Sequence, residues 1–332
     1  MRTMTYRDAL REAIREEMLR DERVFIMGED IAGYGGTYAV TKGLIEEFGE
    51  KRVRDTPLAE EVITGAAIGA ALGGLRPILE IMTINFSLLA TDMLINNAAK
   101  MRYMFGGQPS VPLVVRTPAG GGAQRAAQHS QMFESLYAHV PGLKVVMPAT
   151  PYDVKGMLKS AVRDPDPVLF IEHELLYNVK GEVPDEGVEY LVPLNRGEVK
   201  REGRDVTIIS FSRLLHVALQ AAEDLANEGI EAEVIDLRSI RPVDIDLLVD
   251  SVKKTNRVVI AEEGWKYYGT GQGLAALIYE HAFDYMDAPI QHVTGADVPM
   301  PYSKALERAA IPKKGEIVAA AKAIVPAALV RR

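Results

Sequence analysis

Residues 144–172 read KVVMPATPYDVKGMLKSAVRDPDPVLFIE. Residues 144–147 form a short apolar run that predicts a strand. Residues 152–163 predict a helix, and Asp164-Pro165-Asp166-Pro167 marks a turn. Residues 168–172 then give a second apolar strand. Two strands that are apolar on both faces, joined by a helix, belong in a parallel sheet covered by helices. The pattern extends toward the amino terminus. Residues 111–116, 76–82 and 24–27 read as further strands, and residues 61–75 and 88–100 as helices. The first helix opens at Thr5, with Asp8 three residues on as in a capping box. Leu10, Ile14 and Met18 then share one face.

From about residue 178 the alternation stops. Prolines, glycines and charges through residue 204 read as an ordered connector. A second block follows, with strands at 206–211, 232–236, 258–262 and 290–294 and helices at 214–227 and 271–280. The expected architecture is therefore two parallel-sheet α/β domains, residues 1–180 and 205–332, the second smaller, with a connector at 181–204. The chain has 332 residues, 48% hydrophobic and 25% charged, in the range of ordinary globular proteins. It contains no cysteine, which excludes disulfides, thiol nucleophiles and cysteine-ligated metals. A formal charge of −8 argues against nucleic acid as a main partner. The start is charged throughout and lacks the apolar core of a secretory signal, and no apolar run has the length of a membrane helix. A cytoplasmic or organelle-matrix protein is expected.

Five segments could carry chemistry. Asp55-Thr56-Pro57-Leu58-Ala59-Glu60-Glu61 places carboxylates at a helix start, where the dipole favours them; ordinary first-turn acids read the same way. Ile84-Asn85-Phe86-Ser87 lies past a strand end, where such sheets bind ligands. Phe86 could stack on a flat heterocycle or simply fill core. Gly120-Gly121-Gly122 precedes Ala126-Ala127-Gln128-His129-Ser130-Gln131. His129 could serve as acid, base or cationic stabiliser, although a lone histidine is more often structural. The other five histidines have less suggestive settings, and none forms a zinc-like spacing. Gly269-Thr270-Gly271-Gln272-Gly273 has GxGxG spacing rather than a dinucleotide fingerprint, and reads as a turn and helix start. The helix end before Asp164-Pro165-Asp166-Pro167 could present oxygens to a hard cation, or be turn chemistry alone.

Taken in order, DTPLAEE, RPILEIMTINFS, AAKMRYMFGG, AAQHSQ, HVPGLKVVMPATPYDVKGML, AVRDPDPVLFIE, VIAEEGWKYYGTGQG and GADVPMPYSKALE resemble the beta subunits of thiamine-diphosphate-dependent 2-oxo acid dehydrogenases. These belong to the transketolase-like superfamily, and the resemblance covers essentially the whole chain. It implies a pyrimidine-binding first domain and a transketolase carboxyl-terminal-like second domain. It implies that Glu60 hydrogen-bonds the aminopyrimidine ring nitrogen and promotes its imino tautomer, and that Phe86 packs on that ring. It places Glu29 with the cofactor-binding residues, and His129 facing the substrate and the lipoyl group. It implies a potassium-like site using carbonyls near Leu113, Ala161, Val162 and Asp166, with Asp164.

One departure matters. Single-chain thiamine enzymes carry Gly-Asp-Gly with a downstream Asn that holds magnesium and the diphosphate. No Gly-Asp-Gly occurs here, and Asn96-Asn97 sits in a helical stretch without it. A diphosphate needs a cation and donors to leave water. The chain is therefore expected to hold half a site. The resemblance implies an alpha subunit that holds magnesium, an α2β2 assembly, and a lipoyl-bearing dihydrolipoamide acyltransferase as acceptor. TINFSLLATD is closer to pyruvate-specific members; branched-chain 2-oxo acids or acetoin are the alternative substrates. A nucleotide-dependent oxidoreductase would require the missing GxGxxG unit. A relative without chemistry would be expected to have lost Glu60 or His129, and both are present.

Overall fold

The structure, a computed structural model, describes residues 1–326. Residues 327–332 of the expected second domain lie outside the described residues. The chain divides into two compact units. Met1–Ala119 with Leu136–Leu194 form the first, and Gly120–Ser135 with the chain from Asn195 onward form the second.

In the first unit six strands lie side by side and parallel. Their order is Val53–Asp55, Val24–Gly28, Arg76–Glu80, Val114–Ala119, Val168–His173 and Lys144–Val146. The expected parallel sheet is thus present, and strands Val24–Gly28, Val114–Ala119 and Val168–His173 are buried along their whole length. Helix Tyr6–Arg20 starts at Thr5, whose hydroxyl accepts from the Asp8 amide at 3.1 Å. Helix Pro151–Arg163 starts the same way, at Thr150, with Pro151 supplying the preset φ of a first turn. Leu10, Ile14 and Met18 of the first helix join Val154, Met157 and Leu158 of the second in one apolar core. The lysines of the second helix do not break this packing. Lys155 and Lys159 are fully buried but paired, Lys155 with Glu12 and Glu16, Lys159 with Glu16 and Glu189.

The carboxyl ends of the central strands share one buried ion cluster. Arg116 donates two hydrogen bonds to Glu172, at 2.7 and 2.8 Å, and one to Glu80 at 2.7 Å. Tyr177 donates to Glu172 at 2.6 Å. Glu80 stands opposite Arg116 in the ladder. Burial pushes the Glu80 carboxyl up, and Arg116 opposes that shift.

The second unit holds a five-stranded sheet in the order Gln291–Gly295, Val258–Trp265, Val206–Ser210, Ala232–Asp236 and Glu198–Arg201. The last strand is antiparallel and the rest are parallel.

Four sequence expectations are corrected. The stretch 181–204 is not a plain connector: Lys180–Val183 pairs antiparallel with Arg2–Thr5, and Glu198–Arg201 closes one edge of the second sheet. Their short polar composition hid the ladder hydrogen bonds that define them. The helix expected at 88–100 is broken into a 3-10 turn Phe86–Ala90, a π-helical stretch Met93–Ala98 and a short helix Met101–Met104. Here Thr91 bonds back to the Ser87 and Leu88 carbonyls, and Asn97 to the Asp92 carbonyl. Side chains that bond the local backbone compete with a regular ladder. The strand expected at 111–116 begins instead at Val114, after a turn in which the Leu113 amide donates to the Val111 carbonyl across Pro112. Finally, the division of the chain is not linear. Residues 120–135 leave the first unit and pack with the second.

Arg116→Met removes the one cation between two carboxylates that stay buried. It should lower the unfolding free energy by about 3–5 kcal/mol, measured by denaturant titration. A loss of only about 1 kcal/mol, as for an exposed pair, would show that water reaches the cluster.

Candidate functional site

Three neighbouring strands of the first sheet deliver a group of acids to its carboxyl edge. Glu29 follows Val24–Gly28, Glu60 opens the helix after Val53–Asp55, and Glu80 ends Arg76–Glu80. These strands are hydrogen-bonded neighbours. Such edges are where open parallel sheets bind ligands.

Glu29 is the most unusual group. It is 3% exposed, and neither carboxylate oxygen has a hydrogen-bond partner among the described residues. Burial pushes its carboxyl up to about 7, and the charges of Glu60, Asp30 and Glu80 push the same way. The Ala59 amide opposes them. A buried carboxyl that lacks donors is costly unless a ligand or proton satisfies it.

Glu60 is 8% exposed, at the first position of helix Glu60–Leu72. The Ala59 position offers no side-chain cap. The Thr64 hydroxyl bonds back to the Glu60 carbonyl at 2.6 Å, which fixes the first turn. The helix dipole favours a carboxylate at this position. Ala67, Ile68 and Ala71 bury the inner side of the helix. Asp55 does not line this group freely: it accepts from the Ala32 amide at 2.7 Å and pins the loop of Gly33, Gly35 and Gly36 that follows Glu29.

Phe86 is half-buried at the start of its 3-10 turn. The next residue holds it there. The buried Ser87 hydroxyl bonds the Ile84 carbonyl and the Tyr137 hydroxyl, each at 2.6 Å. Sequence reading missed Tyr137, because a residue 50 positions away leaves no local signal.

The structure thus brings Glu29, Glu60 and Phe86 to one edge of one unit. His129 belongs to the other unit, on an exposed stretch of the 120–135 loop. That loop has left-handed backbone at Gly120, Gly122, Gln124 and Ala126. Gly269–Gly273 acts as the expected turn and helix start: helix Thr270–Ala282 begins there. Gly271 also permits a close approach. A Cβ on it would lie 2.0 Å from His292 Nε2, which pairs with Glu262 at 2.7 Å.

The expected cation ligands do not form an open cage. The Val162 carbonyl accepts from Arg76 at 2.7 Å. Lys144 sits on both Asp164 oxygens at 2.6 Å, and Arg102 on Asp166 at 2.6 Å. The Ala161 and Leu113 carbonyls accept from the Asp164 and Val168 amides. Arg76 on the Val162 carbonyl and Lys144 on the Asp164 carboxylate already serve two of the expected ligands, while Arg102 takes the Asp166 side chain rather than its carbonyl, so a potassium ion fits this arrangement poorly and no chemistry is assigned to one. Among the described residues no group of three His, Asp or Glu side chains is set to hold a metal, and no helix is long and apolar enough to cross a membrane.

Comparison with known proteins agrees with the fold. Residues 2–180 match the transketolase pyrimidine-binding domain family, and residues 195–317 the transketolase carboxyl-terminal domain family. A split-gene transketolase, solved as an inactive beta4 tetramer, shares the fold with a TM-score of 0.79 at 25% identity, covering 99% of both chains. The fold and both domains are therefore of transketolase type. Among curated relatives, the mitochondrial pyruvate dehydrogenase E1 component subunit beta of Dictyostelium discoideum is 52% identical, covering 97% of this chain and 91% of that protein. The corresponding subunit of Rickettsia felis is 50% identical, covering 97% and 98%. The mitochondrial beta-1 subunit of Arabidopsis thaliana is 50% identical, covering 96% and 88%. The chain belongs to the pyruvate dehydrogenase E1 beta-subunit family.

The raised Glu29 carboxyl has a consequence for stability. Between the ordinary carboxylate range and about 7 the folded chain binds a proton that the unfolded chain has released. Its stability therefore falls as pH rises through that window, and Glu29→Gln removes this slope. Unfolding free energies of wild type and variant, measured at the two ends of the window, should diverge in the variant's favour at the higher pH. A difference that does not change with pH would show that Glu29 titrates normally.

Proposed function

We propose that this chain is the beta half of a pyruvate dehydrogenase that works only with an alpha subunit, oxidatively decarboxylating pyruvate with thiamine diphosphate. The acyl group then passes to the lipoyl arm of a dihydrolipoamide acyltransferase. The observation that carries the reading is the buried Glu29–Glu60 pair at the carboxyl edge of a transketolase-type pyrimidine domain, with neither Glu29 oxygen in close hydrogen-bond contact and the Ala59 amide opposing a carboxyl that burial pushes up.

These residues fit an aminopyrimidine. Such a ring presents an amino group and a ring nitrogen, and offers a flat face. Glu60 would take the ring nitrogen, the orphaned Glu29 oxygens would accept donors on that side, and Phe86 would supply an apolar wall. Thiamine diphosphate, when bound, supplies the electron sink for decarboxylation. The chain's own contribution is proton control. Glu60, anchored on a rigid helix start, holds or releases a proton at the ring nitrogen. Glu29, with its carboxyl near neutrality, keeps a second proton within the same buried group. His129 would act from its loop on the substrate and the acceptor, as acid or base.

The diphosphate needs a cation and hydrogen-bond donors to leave water, and the sequence lacks Gly-Asp-Gly. The alpha subunit would supply both. The split transketolase whose beta4 tetramer is inactive supports the same division. The organisms of the relatives fit a bacterial cytoplasm or a mitochondrial matrix.

Titration calorimetry with thiamine diphosphate and magnesium tests the division. Binding should be absent with the chain alone and tight with the alpha subunit added; tight binding to the chain alone would end the half-site reading. In the assembled enzyme Glu60→Gln should cut turnover by roughly 100- to 10,000-fold without loss of assembly. Near-normal turnover would remove Glu60 from the reaction. His129→Ala should impair acyl transfer to a lipoyl domain more than decarboxylation followed with an artificial electron acceptor. Equal losses would point to substrate binding instead.

A further inference from the structure

The segment that carries His129 has little structure of its own. Four of the seven residues from Gly120 to Ala126 are left-handed, and Gln124 and Ala126 lack glycine's freedom. Such residues persist only where the surroundings over-determine them. A turn bond beside the histidine, from its amide to the Ala126 carbonyl, is long at 3.3 Å.

The surroundings are two carboxylates from distant parts of the second unit. Glu307, on helix Lys304–Ala310, accepts the Gly122 amide at 2.9 Å and the Gln124 amide at 3.0 Å, both on one oxygen. Glu263, on strand Val258–Trp265, accepts the Gly121 amide at 2.7 Å, and its other oxygen takes Arg213 at 3.0 Å. Both acids are buried, Glu307 at 1% exposure. Converging backbone amides in a turn of mixed handedness form an anion-binding concavity. Here the chain fills that concavity with its own carboxylate. The hydrogen bonds are charge-assisted, the stronger class. Packing limits the loop further: a Cβ on Gly121 would lie 2.9 Å from the Met300 methyl.

The far end of the loop is held as well. The Thr270 hydroxyl donates to Glu134 at 3.4 Å, in a fully buried setting beside Glu262. Burial and the Glu262 charge push the Glu134 carboxyl up to about 8.

We propose that Glu307, assisted by Glu263, is a positioning residue that fixes the geometry of the His129 loop through the Gly121, Gly122 and Gln124 amides. This rests on the role given above to His129. Neither acid touches the substrate in this account; each acts through the backbone that presents the histidine.

The test uses the assembled enzyme with Glu307→Asp, Glu307→Ala and Glu307→Gln. Aspartate keeps the charge but withdraws the oxygen, and it tolerates folding better than alanine. Glutamine keeps an acceptor in place. Hydrogen exchange at the amides of residues 121–124 should speed up by about ten-fold or more in the Asp and Ala variants, as loss of a charge-assisted bond implies, and stay near wild type in Gln. The Asp variant should lose acyl transfer to a lipoyl domain more than decarboxylation, and combining it with His129→Ala should be no worse than His129→Ala alone. Unchanged exchange in the Asp variant overturns the anchoring. Faster exchange with losses that multiply overturns action through His129. If His129→Ala is itself without effect, the histidine's assigned role falls and the positioning claim falls with it, while exchange alone still decides whether Glu307 holds the loop.

Discussion

One guanidinium governs the first sheet. Arg116 lies fully buried on a central strand, with Glu80 on the strand to one side and Glu172 on the strand to the other. Two carboxylates flank one cation in a buried setting, and burial pushes the Glu80 carboxyl up while Arg116 opposes that shift. A buried charge is tolerated only when paired and hydrogen-bonded, and the Tyr177 hydroxyl completes the pairing on Glu172. The three strand ends are thereby locked in register at the edge where Glu29 and Glu60 emerge. Glu80 also bears on the site, because its charge is one of those that push the Glu29 carboxyl up.

The same economy of charge recurs in the second unit with the opposite purpose. There, carboxylates are spent on backbone amides rather than on a guanidinium. Glu263 and Glu307 satisfy three loop amides that no ladder or helix serves. That is why residues 120–135 group with the second unit although both flanking segments, through Ala119 and from Leu136, group with the first. A linear reading of domains cannot anticipate an excursion of this kind.

The candidate residues carried by the resemblance differ in what surrounds them. Glu60, Glu29 and Phe86 are set on a rigid edge, with anchors at Thr64, Ser87 and Tyr137. Two of the oxygens expected to hold a cation, the Val162 carbonyl and the Asp164 carboxylate, are instead engaged by Arg76 and Lys144. Carbonyl ligands leave little trace in sequence, and the residues that compete for them lie far along the chain, Arg76 being 86 positions from Val162.

The sequence by itself determined the two α/β blocks, because apolar runs separated by amphipathic helices have few ways to bury both faces of each strand. It determined the helix starts at Thr5 and Thr150, where capping is a contact over three residues. It showed that Gly-Asp-Gly is absent, which is the ground for proposing that a second subunit completes the diphosphate site. Only the tertiary structure decided that Glu29 lacks donors, that Arg116 joins three strands, and that Glu307 reaches the His129 loop across 183 positions. The physical reason is range. Periodicity and capping act within a few residues, whereas burial, shared charge and hydrogen bonds to distant amides exist only once the chain has brought those groups together.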